Sequence, residues 1–177
     1  EEMEDMLRLL PLLNRMTKAP LMIDSTDSAV IEESLKLCQG KSIINSINLE
    51  DGEERFESVV PLARRYGASL VVGCIDEDPD DGMAVTVERK LEVAERSYKL
   101  LTEKYGIPET NLIFDPLVFP VGTGDQKYSA SAAATIDGVK AIQQRFPRCS
   151  TVLGISNVSF GLPPAGREVL NSVFLYH

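Results

Sequence analysis

The strongest constraint on this chain is a phrase that recurs along it: a short run of branched apolar residues, a polar patch, then a segment with helical spacing. The runs are Leu21-Met22-Ile23, Ile43-Ile44, Leu70-Val71-Val72, Leu112-Ile113-Phe114 and Val152-Leu153. None alternates strictly between apolar and polar residues, which is how parallel strands buried on both faces read. In the intervening segments Val87, Leu91, Ala94, Tyr98, Leu101 and Tyr105 recur at steps of four and three, so they share one helix face. Gly106 and Pro108 punctuate that helix. A helix after Asp27 carries Ile31, Leu35 and Cys38 on one stripe and stops at Gly40. Others are expected from about Glu53 to Tyr66, kinked or restarted at Pro61, from about Ala132 to Phe146, and from near Pro164 onward. The opening segment, Glu1 to Met16, also reads as a helix.

Strands alternating with helices imply right-handed βαβ crossovers and a parallel sheet. About five strands and six helices fit a doubly wound sheet and a (β/α)8 barrel equally well. With 177 residues, 44% of them apolar, the chain has core enough for one domain spanning 1–177 and not for two. A whole barrel takes about 250 residues, so a barrel here would be incomplete. Beginning on a helix and ending inside one, the sequence reads as a segment cut from a longer fold.

Charge and rare residues exclude several functions. A net charge of −9 without a basic stripe argues against nucleic acid. No apolar run approaches the roughly 18 residues of a membrane span, and no signal peptide opens the sequence, so it reads as soluble and unexported. Cys38, Cys74 and Cys149 are widely spaced, odd in number and free of CxxC patterns. That spacing suits core thiols in a reducing cytoplasm better than disulfides or a metal site. His177 is the only histidine, so Ser-His or Cys-His chemistry lacks a base.

In either parallel architecture, ligands bind beyond the carboxyl ends of the strands. Those ends carry Asp24-Ser25-Thr26, Asn45-Ser46, Asp76-Glu77, Asp115-Pro116 and Ser156-Asn157. Singly, each has a structural use: Asp24 or Asp27 as a helix cap, Asn45 or Asp115-Pro116 as a turn former, and the acids around Pro79 as a solvated loop. Together, Asp24, Asn45, Asp115 and Asn157 recur at the same end of four strands and should converge on one mouth. Two carboxylates and two carboxamides with little positive charge suit a neutral heterocycle with a donor-rich edge, such as a pterin or guanine ring. A phosphate would call for a glycine-rich cradle, and Gly122-Thr123-Gly124 lacks the lysine of a P-loop.

Three stretches carry a resemblance. PLMIDSTDSAVIEESLKLCQGKSIINSIN resembles the pterin-binding family of dihydropteroate synthases and methyltetrahydrofolate methyltransferases; NLIFDPLVFPVGTG and VLGISNVSFGLPPAGREVLNSVFLYH look like the methyltransferases, most of all the folate module of cobalamin-dependent methionine synthase. The likeness runs from about Pro20 to His177, and the LGxSNVSFG segment is its specific part. It implies a (β/α)8 TIM barrel lacking its first two strands and its eighth. It further implies that Asp115 accepts from the pterin N2 and N3 edge while Asp24 and Asn45 hold other ring heteroatoms. Asn157 would contact N5, Gly154 and Ser156 would line the same loop, and Arg167 would lie near the ligand. The implied substrate is 5-methyltetrahydrofolate, whose N5 methyl passes to cob(I)alamin on a separate corrinoid domain, alongside a homocysteine-binding domain. In that reading Asn157 and Asp24 are the catalytic residues and no metal sits in this chain. The alternatives are a methyltransferase serving a corrinoid iron-sulfur protein and a folate-binding fragment without turnover.

Overall fold

The computed structural model describes residues Glu1 to His177. Five parallel strands, β1 (Met22–Asp24), β2 (Ile43–Leu49), β3 (Ser69–Asp76), β4 (Leu112–Asp115) and β5 (Ser150–Thr151), form one sheet in the order β1-β2-β3-β4-β5. Six α-helices alternate with them: α1 (Glu2–Met16), α2 (Ser28–Leu37), α3 (Glu54–Tyr66), α4 (Val87–Lys99), α5 (Ser131–Arg145) and α6 (Pro164–Tyr176).

The strand order settles what alternation left open. A doubly wound sheet reverses direction at a switch point and carries helices on both faces. Here each strand pairs with its sequence neighbour throughout, so right-handed crossovers put every connecting helix on one side. The sheet is therefore a singly wound arc of a (β/α)8 barrel.

Its two faces differ chemically. Ile23, Ile44, Ile47, Leu49, Leu70, Val72, Cys74, Leu112 and Phe114 point toward the helices and are buried within one 25-residue core. Phe114 meets Phe146 at 5.8 Å between ring centroids, and Phe146 stacks on Tyr98 at 4.3 Å. The opposite face carries Met22, Asp24, Asn45, Asn48, Gly73, Ile113 and Asp115, and Met22 is 45% exposed. Burial on both faces holds at the centre of the sheet, where every residue of β3 from Ser69 to Cys74 is buried, Val71 on the interior face included, and it lapses at the β1 edge.

Several elements depart from the sequence expectations. Strand β5 lies at Ser150–Thr151, ahead of the Val152-Leu153 run, although Val152 still donates to Phe114 O at 2.9 Å. An edge strand pairs only as far as its neighbour offers carbonyls, and β4 ends at Asp115. Helix α3 neither restarts nor stops at Pro61, although proline there forfeits one internal hydrogen bond. Helix α4 buries Lys90, Val93, Ala94 and Ser97, a face rotated from the Val87-Leu91-Tyr98 stripe. It continues as a π-helical turn over Leu100–Lys104 and ends where Gly106 takes a positive φ of 65°.

Candidate functional site

Asp27, not Asp24, caps α2: its Oδ1 accepts from Ala29 N at 2.8 Å and Val30 N at 3.4 Å. Asp24 is thereby left at the end of β1, beside its register partner Asn45. Between Ile44 and Ile47 the β2–β3 register slips, because β2 advances three residues while β3 advances two, from Leu70 to Val72. One extra residue in a strand is a bulge, and bulges re-aim side chains near sites. Its effect is that Ile44 and Ile47 both reach the helix-side core while Asn45 and Asn48 both face the barrel interior.

Arg55, reaching up from α3, ties down the turns that follow. Its guanidinium donates to Thr26 O at 2.6 Å, Ser25 O at 2.8 Å and Ser46 O at 3.3 Å. Burial pulls its pKa down and Asp27 opposes that fall. Asp24, Asn45, Asn48, Glu50 and Arg55 line a cleft of about 300 Å³ with no hydrophobic residue in its wall. Neither the Asp24 carboxylate nor the Asn45 carboxamide is engaged by another side chain or backbone group, so both face the cleft with free hydrogen-bonding capacity.

Asp115 stands two strands away on the same face, with Gly73 of β3 as its register partner. A Cβ on Gly73 would lie 3.6 Å from Asn48 Cβ, so Asn48, Gly73 and Asp115 form one row across three strands. Asp115 Oδ1 accepts from Leu117 N at 2.9 Å, an Asx turn at Asp115-Pro116. Burial raises its pKa above the usual carboxylate value, while the Leu117 N–H and the charge of Lys90 hold it down.

Beyond β5, Gly154 opens the 3₁₀ turn Ile155–Ser159. A side chain at Gly154 would begin 3.0 Å from Asn157 Nδ2, so the glycine leaves room for that carboxamide. Arg167 Nη2 donates to Ser156 O at 3.3 Å, which joins α6 to the turn. The loop after β4 is stitched to the same turn by Val121 N on Val158 O at 3.1 Å. Leu162 packs so closely over Gly122 that a Cβ there would meet its Cδ2 at 2.6 Å.

The structure therefore brings the seven sequence candidates into two groups. Asp24 and Asn45 share one cleft, whereas Gly154, Ser156, Asn157 and Arg167 cluster around the last turn. Asp115 belongs to neither group and is aligned, through Gly73, with Asn48 of the first cleft. The remaining strand end behaves differently: Asp76 is 7% exposed and pairs with Arg89 at 2.5 Å and Arg96 at 3.7 Å. Around it Asp78 Oδ1 accepts from Asp80 N and Asp81 N, so the acidic loop is folded on itself.

Sequence reasoning missed Asn48, Arg55 and Lys90. Asn48 stands three residues after Asn45, a spacing that faces the same way only across a bulge. Arg55 follows the β2 end at a distance that places it in the first helical turn. Lys90 has the clearest signal, a charged residue at i−3 and i−4 from the buried Val93 and Ala94.

The profile of the pterin binding enzymes matches residues 1–177. The chain belongs to the pterin-binding enzyme family. It is 39% identical to methionine synthase of Mycobacterium tuberculosis and 40% identical to that of Mycobacterium leprae, each over 175 residues and 97% of this chain. The chain spans 14% of the length of either relative. In fold it is similar to dihydropteroate synthase of Yersinia pestis in a sulfonamide complex, with a TM-score of 0.61 at 15% identity. That match covers 98% of this chain and 63% of the other. Dihydropteroate synthase of Thermus thermophilus with 4-aminobenzoate gives 0.58 at 21% identity, over 96% and 64%. No helix of this pterin-binding chain is long and apolar enough to cross a membrane.

Proposed function

We propose that this chain binds 5-methyltetrahydrofolate on the barrel-interior face and presents its N5 methyl group to cob(I)alamin carried by a separate corrinoid domain, as the folate module of a methionine synthase. The observation that carries the reading is the pair of polar rows on the face that no helix covers, Asp24 beside Asn45 and Asn48 in line with Asp115. Acceptors fit the 2-amino and N3–H edge of a pterin, which is rich in donors. Near 40% identity to two methionine synthases supports the same reading. A homocysteine-binding domain, a corrinoid domain and a cytoplasmic setting belong to this proposal.

In it, Asp115 accepts from the ring's donor edge, while Asp24 and Asn45 hold the remaining heteroatoms. Gly154, Ser156 and Arg167 shape the far wall. Methyl transfer breaks the N5–CH3 bond and leaves its electron pair on N5, a poor leaving group unless it gains a proton. Asn157 has a carboxamide that can present either oxygen or NH2, so it can follow N5 from neutral to protonated. Asp24 supplies a negative charge that favours the cationic ring. Cobalamin, the methyl acceptor, is a nucleophile brought by its own domain.

Calorimetric titration of the intact protein with 5-methyltetrahydrofolate tests the binding half; absence of a heat signal and of ligand protection from trypsin sinks it. Single-turnover transfer to cob(I)alamin, followed by its visible spectrum, tests the other half. Asn157→Ala should slow transfer at least tenfold while leaving binding nearly intact, and a change under twofold refutes its role.

A further inference from the structure

Lys90 is wholly buried, and its ammonium is matched by carbonyls rather than by a carboxylate. Nζ donates to Ala84 O at 2.8 Å in the loop after β3, and to Pro116 O and Leu117 O in the loop after β4. It also sits 5.2 Å from the centre of the Phe119 ring. Leu117 is held in an uncommon conformation, with φ at 63°. Its carbonyl takes a second bond from Thr135 Oγ1 at 2.8 Å, and its N–H caps Asp115 Oδ1. The lysine therefore grips the carbonyls of both residues that follow Asp115.

The slot is shaped for this side chain. A Cβ on Gly138 of α5 would lie 2.8 Å from Lys90 Cδ, so glycine there admits the stem. An apolar residue would fill this space at lower cost, because removing an ammonium from water without an anionic partner opposes folding. Desolvation accordingly pulls the Lys90 pKa down to about 8. Buried charges with shifted pKa values cluster at functional sites, and this one touches the turn that carries Asp115.

We infer that Lys90 is a positioning residue for the ring clamp: it fixes the Asp115-Pro116-Leu117 turn and keeps a positive charge near the Asp115 carboxylate, so that Asp115 meets the ring's donor edge ionised and correctly aimed. This rests on the folate reading above. It adds a residue remote from the cleft, acting through Asp115.

The test compares 5-methyltetrahydrofolate affinity in intact wild type, Lys90→Met and Lys90→Arg proteins, with thermal melts on each. Lys90→Met should weaken binding at least tenfold without lowering the melting temperature, and Lys90→Arg should restore affinity to within about threefold. A merely structural lysine would lower the melting temperature of Lys90→Met and change affinity only in step with unfolding. Wild-type protein that fails to bind overturns the folate reading itself. Wild-type protein that binds, together with a folded Lys90→Met that binds equally well, overturns this inference alone. Should Lys90→Met not fold, Gly138→Ala takes its place. That variant keeps the charge but crowds the stem, so affinity within threefold of wild type then refutes the positioning role.

Discussion

Asp115→Asn separates binding from stability within one side chain. The substitution is isosteric, so Oδ1 can keep the 2.9 Å bond from Leu117 N and the turn survives. What changes is the outward atom, an anionic acceptor that becomes an NH2 donor. Hydrogen bonds to charged groups contribute about 1.5–3 kcal/mol and neutral ones about 0.5–1.5, so two ring N–H groups lose roughly 2–3 kcal/mol. At about 1.4 kcal/mol per tenfold, the folate dissociation constant should rise about 30- to 150-fold. Stability should move the other way. Burial raises the folded-state pKa of Asp115, so its ionised form opposes folding at neutral pH. A carboxyl with a raised pKa contributes stability fully present below its unfolded value and lost as pH rises through the folded value. The asparagine variant should therefore melt at or above the wild-type temperature at pH 7, with the gap closing as pH falls toward 4. Calorimetry and paired melts at pH 7 and pH 4 read both quantities. Affinity within threefold of wild type would show that Asp115 does not meet the ring's donor edge.

Asp27→Ala removes the cap of α2 and should cost about 1 kcal/mol in a denaturant titration, while folate affinity should stay within twofold because Asp27 does not line the cleft. Asp76→Ala removes the shortest partner of the largely buried Arg89 guanidinium, which keeps Glu92 at 2.9 Å, and should cost about 1.5–3 kcal/mol; a loss below about 1 kcal/mol would mean the acidic loop is solvated after all. Lys90 sets an alkaline trend. Its folded pKa, about 8, lies below its ordinary 10.5, so between those values the unfolded chain binds more protons and stability gains up to about 1.4 kcal/mol per pH unit from this group. Urea titrations at pH 8 and pH 10 on wild type and Lys90→Met should show the wild type gaining relative to the variant, and parallel profiles would disprove it.

How much was legible in the sequence follows from which physical signals are local. Runs such as Leu112-Ile113-Phe114 are local, and so is the helix stop at Gly106; α2 instead ends at Leu37, ahead of the Gly40 the sequence pointed to. Strand number, helix number and the strand-end positions of Asp24 and Asp115 were accordingly readable, whereas β2 runs on past Asn45 to Leu49. Strand order is not local, because the same alternation suits an open sheet or a barrel; only the pairing β1-β2-β3-β4-β5 decides. The bulge at Asn45-Ser46 was invisible because period-two counting assumes an unbroken pleat, and with it Asn48 was lost. The cap at Asp27 and the site position at Asp24 are three residues apart in a patch rich in helix-capping residues, so composition could not say which did which. Lys90 was overlooked because Val87, Leu91 and Tyr98 offered an apolar stripe complete without it.

The division of labour between the two faces explains why chemistry and stability can vary separately here. Ile44, Ile47, Leu70, Val72, Leu112 and Phe114 face the helices and form a core whose truncation would cost several kcal/mol each. Asp24, Asn45 and Asn157 face away from it and engage no other side chain, so the fold does not depend on them. Asp115 is the exception. Its turn is fixed by Leu117 from its own loop and by Lys90 from α4, and Lys90 in turn depends on Gly138 of α5. A site residue supported this way transmits changes in helix packing to the cleft. Substitutions at Lys90 or Gly138 should therefore reach the ligand, whereas truncations of the same size at Val59 or Val60, buried in α3, should reduce stability and leave affinity unchanged.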